Sequence, residues 1–137
     1  MKTNIMETNT LIISEKDYTS LIDLIKAERS FKSTPEEHLQ TLGEELKKAK
    51  KVDALKLPSN VIRMHSEIIL QDLQNKNEIK IQLVYPHESN IKERKISILA
   101  PIGTALIGYQ EGDTVEWQIP SGIGRYTILK VNNNTQN

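Results

Sequence analysis

Residues 96–113, which read ISILAPIGTALIGYQEGD, constrain the fold more than any other stretch of the chain. Apolar residues alternate up to Leu99 as in a half-buried strand, and Pro101 then ends the strand because it has no N–H to donate. The apolar run at residues 105–107 predicts one or two turns of helix, which Gly108 terminates. The sequence therefore predicts a strand, a tight corner and a short helix in close succession.

The chain beyond residue 58 has a hydrophobic period of two, which is typical of half-buried strands. Five strands are predicted between clusters of turn-forming residues, at residues 61–70, 79–85, 95–99, 114–119 and 124–131. Together with the short helix, they predict an α+β domain built on an antiparallel sheet.

Two helix start signals lie in the first half of the chain. Ser14 and Asp17 have the form of an N-cap with an acidic residue at the third helical position, and Thr34 followed by Pro35 forms a second signal. Apolar residues then recur every three or four positions along one helix face, at Leu39, Leu42, Leu46 and Ala49. We predict a short antiparallel helical hairpin, packed as in a coiled coil, with a turn of about four residues and a first helix about 26 Å long.

These patterns divide the chain into three predicted parts. Residues 1–10 are polar and without periodicity, so we expect a flexible tail. The helical hairpin occupies residues 11–57, and the sheet domain begins at residue 58 and continues to residue 137. The change of period at Pro58 sets the boundary.

Composition excludes several classes of function. Cysteine is absent, so the chain forms no disulfide and no thiolate metal site. No apolar run approaches the roughly 20 residues that span a bilayer, and we expect a cytoplasmic protein without membrane contact. Basic and acidic residues number 18 each, with ten of each sign in residues 1–58. Proteins that bind a nucleic-acid backbone usually have an excess of basic residues. We therefore expect no direct sequence-specific contact with nucleic acid and favour a protein partner.

Motifs for catalysis or for a metal are not evident. His38, His65 and His87 fall in a predicted helix, a strand and a loop, without the short spacings of metal sites. The glycines at 103 and 108 lack the Lys-Ser or Lys-Thr of a phosphate-binding loop, and no serine has the context of a nucleophile elbow. We therefore predict no catalytic residue, no metal and no cofactor, and a protein that is not an enzyme.

The motif PIGTALIG at residues 101–108, followed by Gly-Asp at 112–113, resembles the C-terminal domain of the bacterial transcript-cleavage factors GreA and GreB. Further segments are similar to the related Rnk group, the regulators of nucleoside diphosphate kinase: VIRMHS at 61–66, LVYP at 83–86, Trp117 and Pro120. The resemblance covers roughly residues 58–131. It implies a domain similar to the FKBP fold, with an antiparallel sheet half wrapped around the short helix and with Trp117, Ile119, Ile128 and Leu106 in the core.

The resemblance also implies a partner and two contact regions. Gre relatives bind RNA polymerase at its secondary channel and touch the rim with the loop at the end of a strand. The matching positions are Leu99, Ala100, Pro101 and Ile102, where Ala100 stands in place of the family's serine. An exposed leucine and proline beside Ile102 could form a small apolar contact patch there. The alternative is that these four residues only cover the core.

The second region is the hairpin tip, residues 28–37, with Phe31, Lys32, Glu36 and Glu37 as candidate contact residues. Gre factors present acidic residues at the tip of a hairpin about twice as long, where they help to hold a second Mg²⁺. The shorter hairpin here predicts a non-enzymatic transcription regulator that binds RNA polymerase without stimulating cleavage, and we expect it to be a monomer. Two alternatives remain, a Gre-type cleavage factor and an FKBP-like binding module or prolyl isomerase unrelated to transcription.

Overall fold

A computed structural model describes residues 11–133 of the chain, so the predicted tail at residues 1–10 lies outside the described residues. Helices and strands follow in the order β1 (Ile12–Ser14), α1 (Glu15–Phe31), α2 (Glu36–Lys48), β2 (Lys50–Val52), β3 (Glu67–Asp72), β4 (Glu78–Val84), β5 (Lys95–Ser97), α3 (Pro101–Leu106), β6 (Thr114–Ile119) and β7 (Gly122–Asn132). Short 3₁₀ turns lie at Ala54–Lys56, Pro86–Glu88 and Ile91–Glu93. The predicted α+β class, a helical hairpin followed by a sheet with one short helix, is confirmed.

Helix α1 begins and ends at the predicted positions. Ser14 is the N-cap residue, and its Oγ accepts a hydrogen bond from the Asp17 N–H at 3.0 Å. The helix runs for 17 residues. It ends because Lys32 adopts a left-handed conformation with φ of 57° and donates its N–H to the Glu28 carbonyl oxygen at 2.8 Å.

Helix α2 begins at Glu36, but the predicted cap at Thr34 is wrong. Pro35 occupies the N-cap position and makes no side-chain cap hydrogen bond. Thr34 Oγ1 instead donates to Glu28 Oε1 at 2.6 Å, because a hydrogen bond to a charged carboxylate is stronger than one between two neutral groups. The predicted apolar seam is confirmed in its first three members, since Leu39, Leu42 and Leu46 are buried.

A small parallel pairing of β1 with β2 closes the base of the hairpin, and the sequence did not predict it. Ile12 pairs with Lys50 and Ser14 with Val52. Strands of three residues are too short to show a period of two, which explains why neither was recognised. Beside them, the Ile12 N–H donates to the Gly108 carbonyl at 3.1 Å, which joins the start of the hairpin to the end of α3.

The main sheet has the strand order β5-β4-β3-β7-β6. β3 is antiparallel to β4 and to β7, and β6 is antiparallel to β7, whereas β4 and β5 are parallel. The sheet is therefore mixed, and the prediction of a wholly antiparallel sheet is wrong for its β5 edge. Two 3₁₀ turns in the connection between β4 and β5 return the chain so that β5 runs in the same direction as β4.

The predicted strand at residues 61–70 is wrong over its first six residues. Residues 61–66 form an irregular segment in which His65 has a φ of 73°. Asn133 holds this segment, because its Nδ2 donates to the Ser59 carbonyl at 2.9 Å and to the Val61 carbonyl at 3.0 Å, and its Oδ1 accepts from Ser66 Oγ. Backbone hydrogen bonds also hold the segment, since the Ile62 N–H donates to the Tyr109 carbonyl at 2.8 Å and the Ile62 carbonyl accepts from the Gly108 N–H at 3.0 Å. Residues 61–66 nevertheless form no continuous strand.

One apolar core joins the hairpin to the sheet. Leu21 of α1 and Leu42 of α2 belong to the same cluster as Leu106 of α3 and Ile128 of β7, and all four are fully buried. Leu106 and Ile128 thus confirm two of the predicted core residues. The other two lie at its margin: Trp117 packs against the cluster while half-buried, and Ile119 is also half-buried.

Gly103 permits the close approach of α3 to the strand before it. A Cβ at this position would lie 2.3 Å from the Ser97 carbonyl oxygen and 3.0 Å from the Ile98 Cα, both of them backbone atoms. Gly43 in α2 differs, because its nearest neighbour would be the Ile25 Cδ1 at 3.9 Å. Only the first glycine is required by packing.

Asp17 fastens the first turn of α1 to the irregular segment. Its Oδ2 accepts a hydrogen bond from the Met64 N–H at 3.2 Å. Burial raises the pKa of the Asp17 carboxyl, although the bond from Met64 and the charges of Arg63, His65 and Lys16 oppose the shift.

We expect Gly103→Ala to destabilise the protein by about 1–3 kcal/mol, because backbone atoms must move to admit the methyl group. Urea unfolding measures the change. Gly43→Ala is the matched control, which we expect to raise the free energy of unfolding by about 0.5–1 kcal/mol because alanine favours a helix. Equal effects of the two substitutions would contradict the packing argument.

We expect Asp17 to make stability depend on pH. Because its folded-state pKa is raised above 3.8, its favourable contribution is present below that pH and is lost as the pH rises through the raised pKa. Asp17→Asn keeps an oxygen acceptor for Met64 without the charge, so stability at pH 7 should stay the same or rise by up to about 1 kcal/mol.

Asp17→Leu provides the comparison, because it leaves the Met64 N–H without its acceptor. We expect it to cost about 1–3 kcal/mol, and more at pH 4 than at pH 7, because the favourable contribution of Asp17 is lost as the pH rises. Urea unfolding of both variants between pH 4 and pH 7 tests the pair. An Asn variant as unstable as the Leu variant would show that charge, not the acceptor, stabilises this junction.

Candidate functional site

The hairpin tip lies at the end of α1 that is far from the sheet. From Asp17, where α1 contacts residue 64, to Phe31 the helix rises about 21 Å at 1.5 Å per residue. Residues 32–35 then reverse the chain, which confirms the predicted turn of about four residues. The tip is therefore the part of the hairpin that protrudes from the sheet domain.

Arg29 and Glu36 form a bidentate ion pair across the tip. Arg29 Nε lies 3.0 Å from both carboxylate oxygens of Glu36, and Arg29 Nη2 lies 2.6 Å from Oε2. These hydrogen bonds hold the pKa of the Glu36 carboxyl below its usual value and raise the pKa of Arg29. Both oxygens of Glu36 are thus occupied by a neighbouring cation.

Glu28 is engaged in the same turn. Its Oε1 accepts hydrogen bonds from Ser33 Oγ at 2.9 Å and from Thr34 Oγ1 at 2.6 Å. Together with the left-handed Lys32, these bonds fix the conformation of the turn. The sequence did not predict the contacts of Glu28 and Arg29. Arg29 and Glu36 lie seven residues apart on either side of the predicted turn, and this opposite-charge spacing could have predicted their ion pair.

The four tip residues predicted from the sequence come together at this end of the hairpin. Phe31 is 78% exposed, and Lys32, Glu36 and Glu37 are also exposed. Glu36 and Glu37 lie in the first turn of α2, where acidic residues favour the helix dipole. Both glutamates therefore stabilise the start of α2, and Glu36 has the ion pair in addition.

The corner at residues 99–102 connects β5 to α3, and it differs from the prediction in one residue. Leu99 is only 8% exposed and belongs to the core, so the expectation of an exposed leucine is wrong. Its side chain turns inward because Ser97 Oγ accepts the Leu99 N–H at 3.0 Å and bends the chain there. Pro101 is exposed, and Ala100 and Ile102 are half-buried.

Buried contacts hold the corner in place. Thr104 Oγ1, itself buried, donates to the Ile98 carbonyl oxygen at 2.7 Å. Ala100 occupies the N-cap position of α3 and makes no side-chain cap hydrogen bond. The result is a small apolar surface, centred on Pro101, on a rigid support.

His65 and His87 both lie beside the ring of Tyr85, without forming a metal site. His65 Nε2 lies 2.8 Å from Glu88 Oε1, while the ring of His87 stacks on Tyr85 with 6.4 Å between centroids. Burial raises the pKa of Glu88, but hydrogen bonds from the Tyr85 N–H and from His65 outweigh it, so that pKa lies below its usual value. Across residues 11–133, no three His, Asp or Glu side chains are grouped as a metal site would require.

Helices within residues 11–133 include none that is both long enough and apolar enough to cross a membrane.

Comparison with known proteins decides the family. A sequence profile described as "Transcription elongation factor, GreA/GreB, C-term" matches residues 57–133, which is more than half of the chain. The chain belongs to the GreA/GreB family. The resemblance inferred from residues 101–113 is therefore confirmed.

Relatives of this GreA/GreB family member extend the likeness beyond the matched domain. A "Regulator of nucleoside diphosphate kinase" of Escherichia coli K12 is 28% identical over 122 residues, which cover 88% of this chain and 87% of the relative. GreA of Clostridium acetobutylicum is 36% identical over 86 residues, covering 63% of this chain but only 54% of the relative.

A solved structure supports the fold assignment over nearly the whole chain. A GreA/GreB transcription elongation factor from Nitrosomonas europaea superimposes with a TM-score of 0.73 at 34% identity, covering 90% of this chain and 98% of the other. Because the match covers nine-tenths of this chain, the likeness of this GreA/GreB protein includes most of the hairpin as well as the sheet.

We expect Arg29→Gln to raise the pKa of Glu36 toward its ordinary value of 4.5, because the hydrogen bonds and charge that lower it are removed. Carboxyl-carbon NMR titration measures the pKa directly. Lys32→Gln is the matched control, since it removes a cation from the same turn that does not bond to Glu36 in the structure. If Arg29→Gln leaves the pKa of Glu36 unchanged, the ion pair does not persist in solution.

Proposed function

We propose that this protein is a non-enzymatic transcription regulator that binds RNA polymerase at the entrance of the secondary channel. The sheet domain from residue 58 holds the rim of the channel, and the hairpin occupies its mouth without stimulating transcript cleavage. Membership of the GreA/GreB family supports the polymerase as partner. In this proposal the protein acts as a monomer in the cytoplasm, where the polymerase is found.

The proposed absence of cleavage rests on the contacts of Glu28 and Glu36, two of the three acidic residues at the hairpin tip. A carboxylate that helps to position a catalytic Mg²⁺ must offer its oxygens to the ion. Both oxygens of Glu36 face Arg29, and Glu28 accepts two hydroxyl hydrogen bonds. The guanidinium also places a positive charge where a metal ion would have to approach, which opposes binding of the ion.

The reach of the hairpin supports the same interpretation. Helices of 17 and 13 residues extend only about 26 Å and 20 Å. The matched part of the Clostridium GreA is about half of that protein, so the longer relative has much sequence outside this correspondence. A short hairpin suits a factor that blocks a channel better than one that reaches a distant metal site.

We propose that the corner at residues 99–102 makes the rim contact through Pro101 and the exposed parts of Ala100 and Ile102. Leu99 supports the corner from the core side and does not contribute to the contact itself. A proline on a buried, hydrogen-bonded support loses little conformational freedom on binding.

Binding to core RNA polymerase, with competition against a Gre factor, tests the proposal. We expect the wild-type protein to bind and to displace the Gre factor, and to leave the rate of transcript cleavage in backtracked complexes unchanged. Pro101→Glu should weaken binding by about tenfold or more, because it places a charge in an apolar contact.

Pro120→Glu is the matched control, since it adds the same charge at another exposed proline, in the turn between β6 and β7. It should bind as the wild type does. No binding by the wild type would reject the polymerase as partner and favour an unrelated binding module. Faster cleavage on adding the protein would identify it instead as a Gre-type cleavage factor.

A further inference from the structure

Phe31 is an exposed aromatic residue that the fold does not use. Its side chain is 78% exposed, and the sequence has no other phenylalanine. It is the last residue of α1, and Lys32 turns the chain away immediately after it. An aromatic ring held in water at the end of a protruding element is typical of a contact residue rather than a structural one.

The structure of the tip also leaves Phe31 as its main unengaged apolar group. Glu36 is paired with Arg29, and Glu28 accepts two hydroxyl hydrogen bonds. The bonds to Glu28 and the left-handed conformation of Lys32 fix the turn beneath the ring before any partner arrives, which lowers the entropic cost of binding. Because Glu28 and Glu36 already have partners within the turn, a surface that binds the ring need not supply partners for these two carboxylates.

We infer that Phe31 is the apolar anchor of the hairpin tip, and that it seats in an apolar recess of RNA polymerase within the secondary channel. The inference rests on the proposed function and adds to it the residue and the chemistry of the contact. In this arrangement the tip binds through an aromatic side chain, whereas the Glu28 carboxylate shapes the turn.

A second copy of this chain is a less suitable partner for Phe31 than RNA polymerase. A phenylalanine ring buries on the order of 150–250 Å², well below the roughly 800 Å² per partner of a stable interface. The narrow tip around Phe31 offers little further apolar surface, since Lys32, Glu36 and Glu37 are all charged and exposed. The ring is therefore suited to a larger interface whose remaining area comes from the sheet domain.

Phe31→Ala tests the inference, and Leu55→Ala is its matched control. Leu55 is 95% exposed and lies outside the hairpin tip, in the turn Ala54–Lys56. We expect Phe31→Ala to weaken binding to core RNA polymerase by about tenfold or more, and Leu55→Ala to change it by less than about twofold. Both variants should unfold at the same temperature as the wild type, because neither side chain is buried.

Site-specific photocrosslinking provides a second measurement. A benzophenone amino acid at position 31 should crosslink to polymerase, whereas the same group at position 55 should not. Polymerase binding by Phe31→Ala that equals the wild type would overturn the role of Phe31 while leaving the proposed function intact. Wild-type protein that does not bind polymerase would reject both. A dimer in sedimentation that Phe31→Ala abolishes would reassign the ring to a second copy and overturn the inference.

Discussion

The fold depends on the burial of the apolar seam of α2 against residues from both halves of the chain. Leu39, Leu42 and Leu46 are almost completely buried, and they share one cluster with Leu106 and Ile107 at the end of α3. Helices of 17 and 13 residues are marginal on their own in water, so the hairpin needs this contact to be stable. Each fully buried leucine contributes roughly 1.5–3 kcal/mol, so burial of the seam contributes strongly to the attachment of the hairpin to the sheet.

Polar contacts then fix the direction in which the hairpin leaves the sheet. The bond from the Ile12 N–H to the Gly108 carbonyl and the bond from the Met64 N–H to Asp17 hold α1 at its base. A Cβ on Gly108 would approach the Ile12 carbonyl to 3.3 Å, and the φ of this residue is 86°, so glycine is required there for both space and conformation. An apolar contact alone would allow the helices to slide, and these directional bonds prevent it.

Local sequence signals predicted the local structure well. The Ser14 cap, the apolar spacing of α2 and the break at Pro101 each depend on a few neighbouring residues, and each is found in the structure. Predictions that depended on distant partners were less successful. The irregular segment at residues 61–66 is held by Asn133, about 70 residues away, and by backbone hydrogen bonds between Ile62 and residues 108–109.

In the candidate site, too, local features were predicted from the sequence and contacts between distant residues were not. The sequence placed Phe31, Lys32, Glu36 and Glu37 at the tip because the turn between two helices is a local feature. It did not reveal which acidic residues were engaged, since the Arg29–Glu36 pair forms only when the two helices lie side by side. Periodicity reports which face of an element is buried, but it carries no information about the partner of an exposed charge.

The exposed ion pair at the tip therefore matters for its geometry rather than for its energy. Pairs in water contribute little to stability, so Arg29 and Glu36 do not hold the hairpin together. The pair keeps the Arg29 guanidinium within 3.0 Å of both carboxylate oxygens of Glu36. The guanidinium thus occupies the position from which a cation would contact this carboxylate. In the proposed function, the cation beside Glu36 opposes the use of this carboxylate as a metal ligand. The exposed ring of Phe31 is then the distinctive apolar group at the tip.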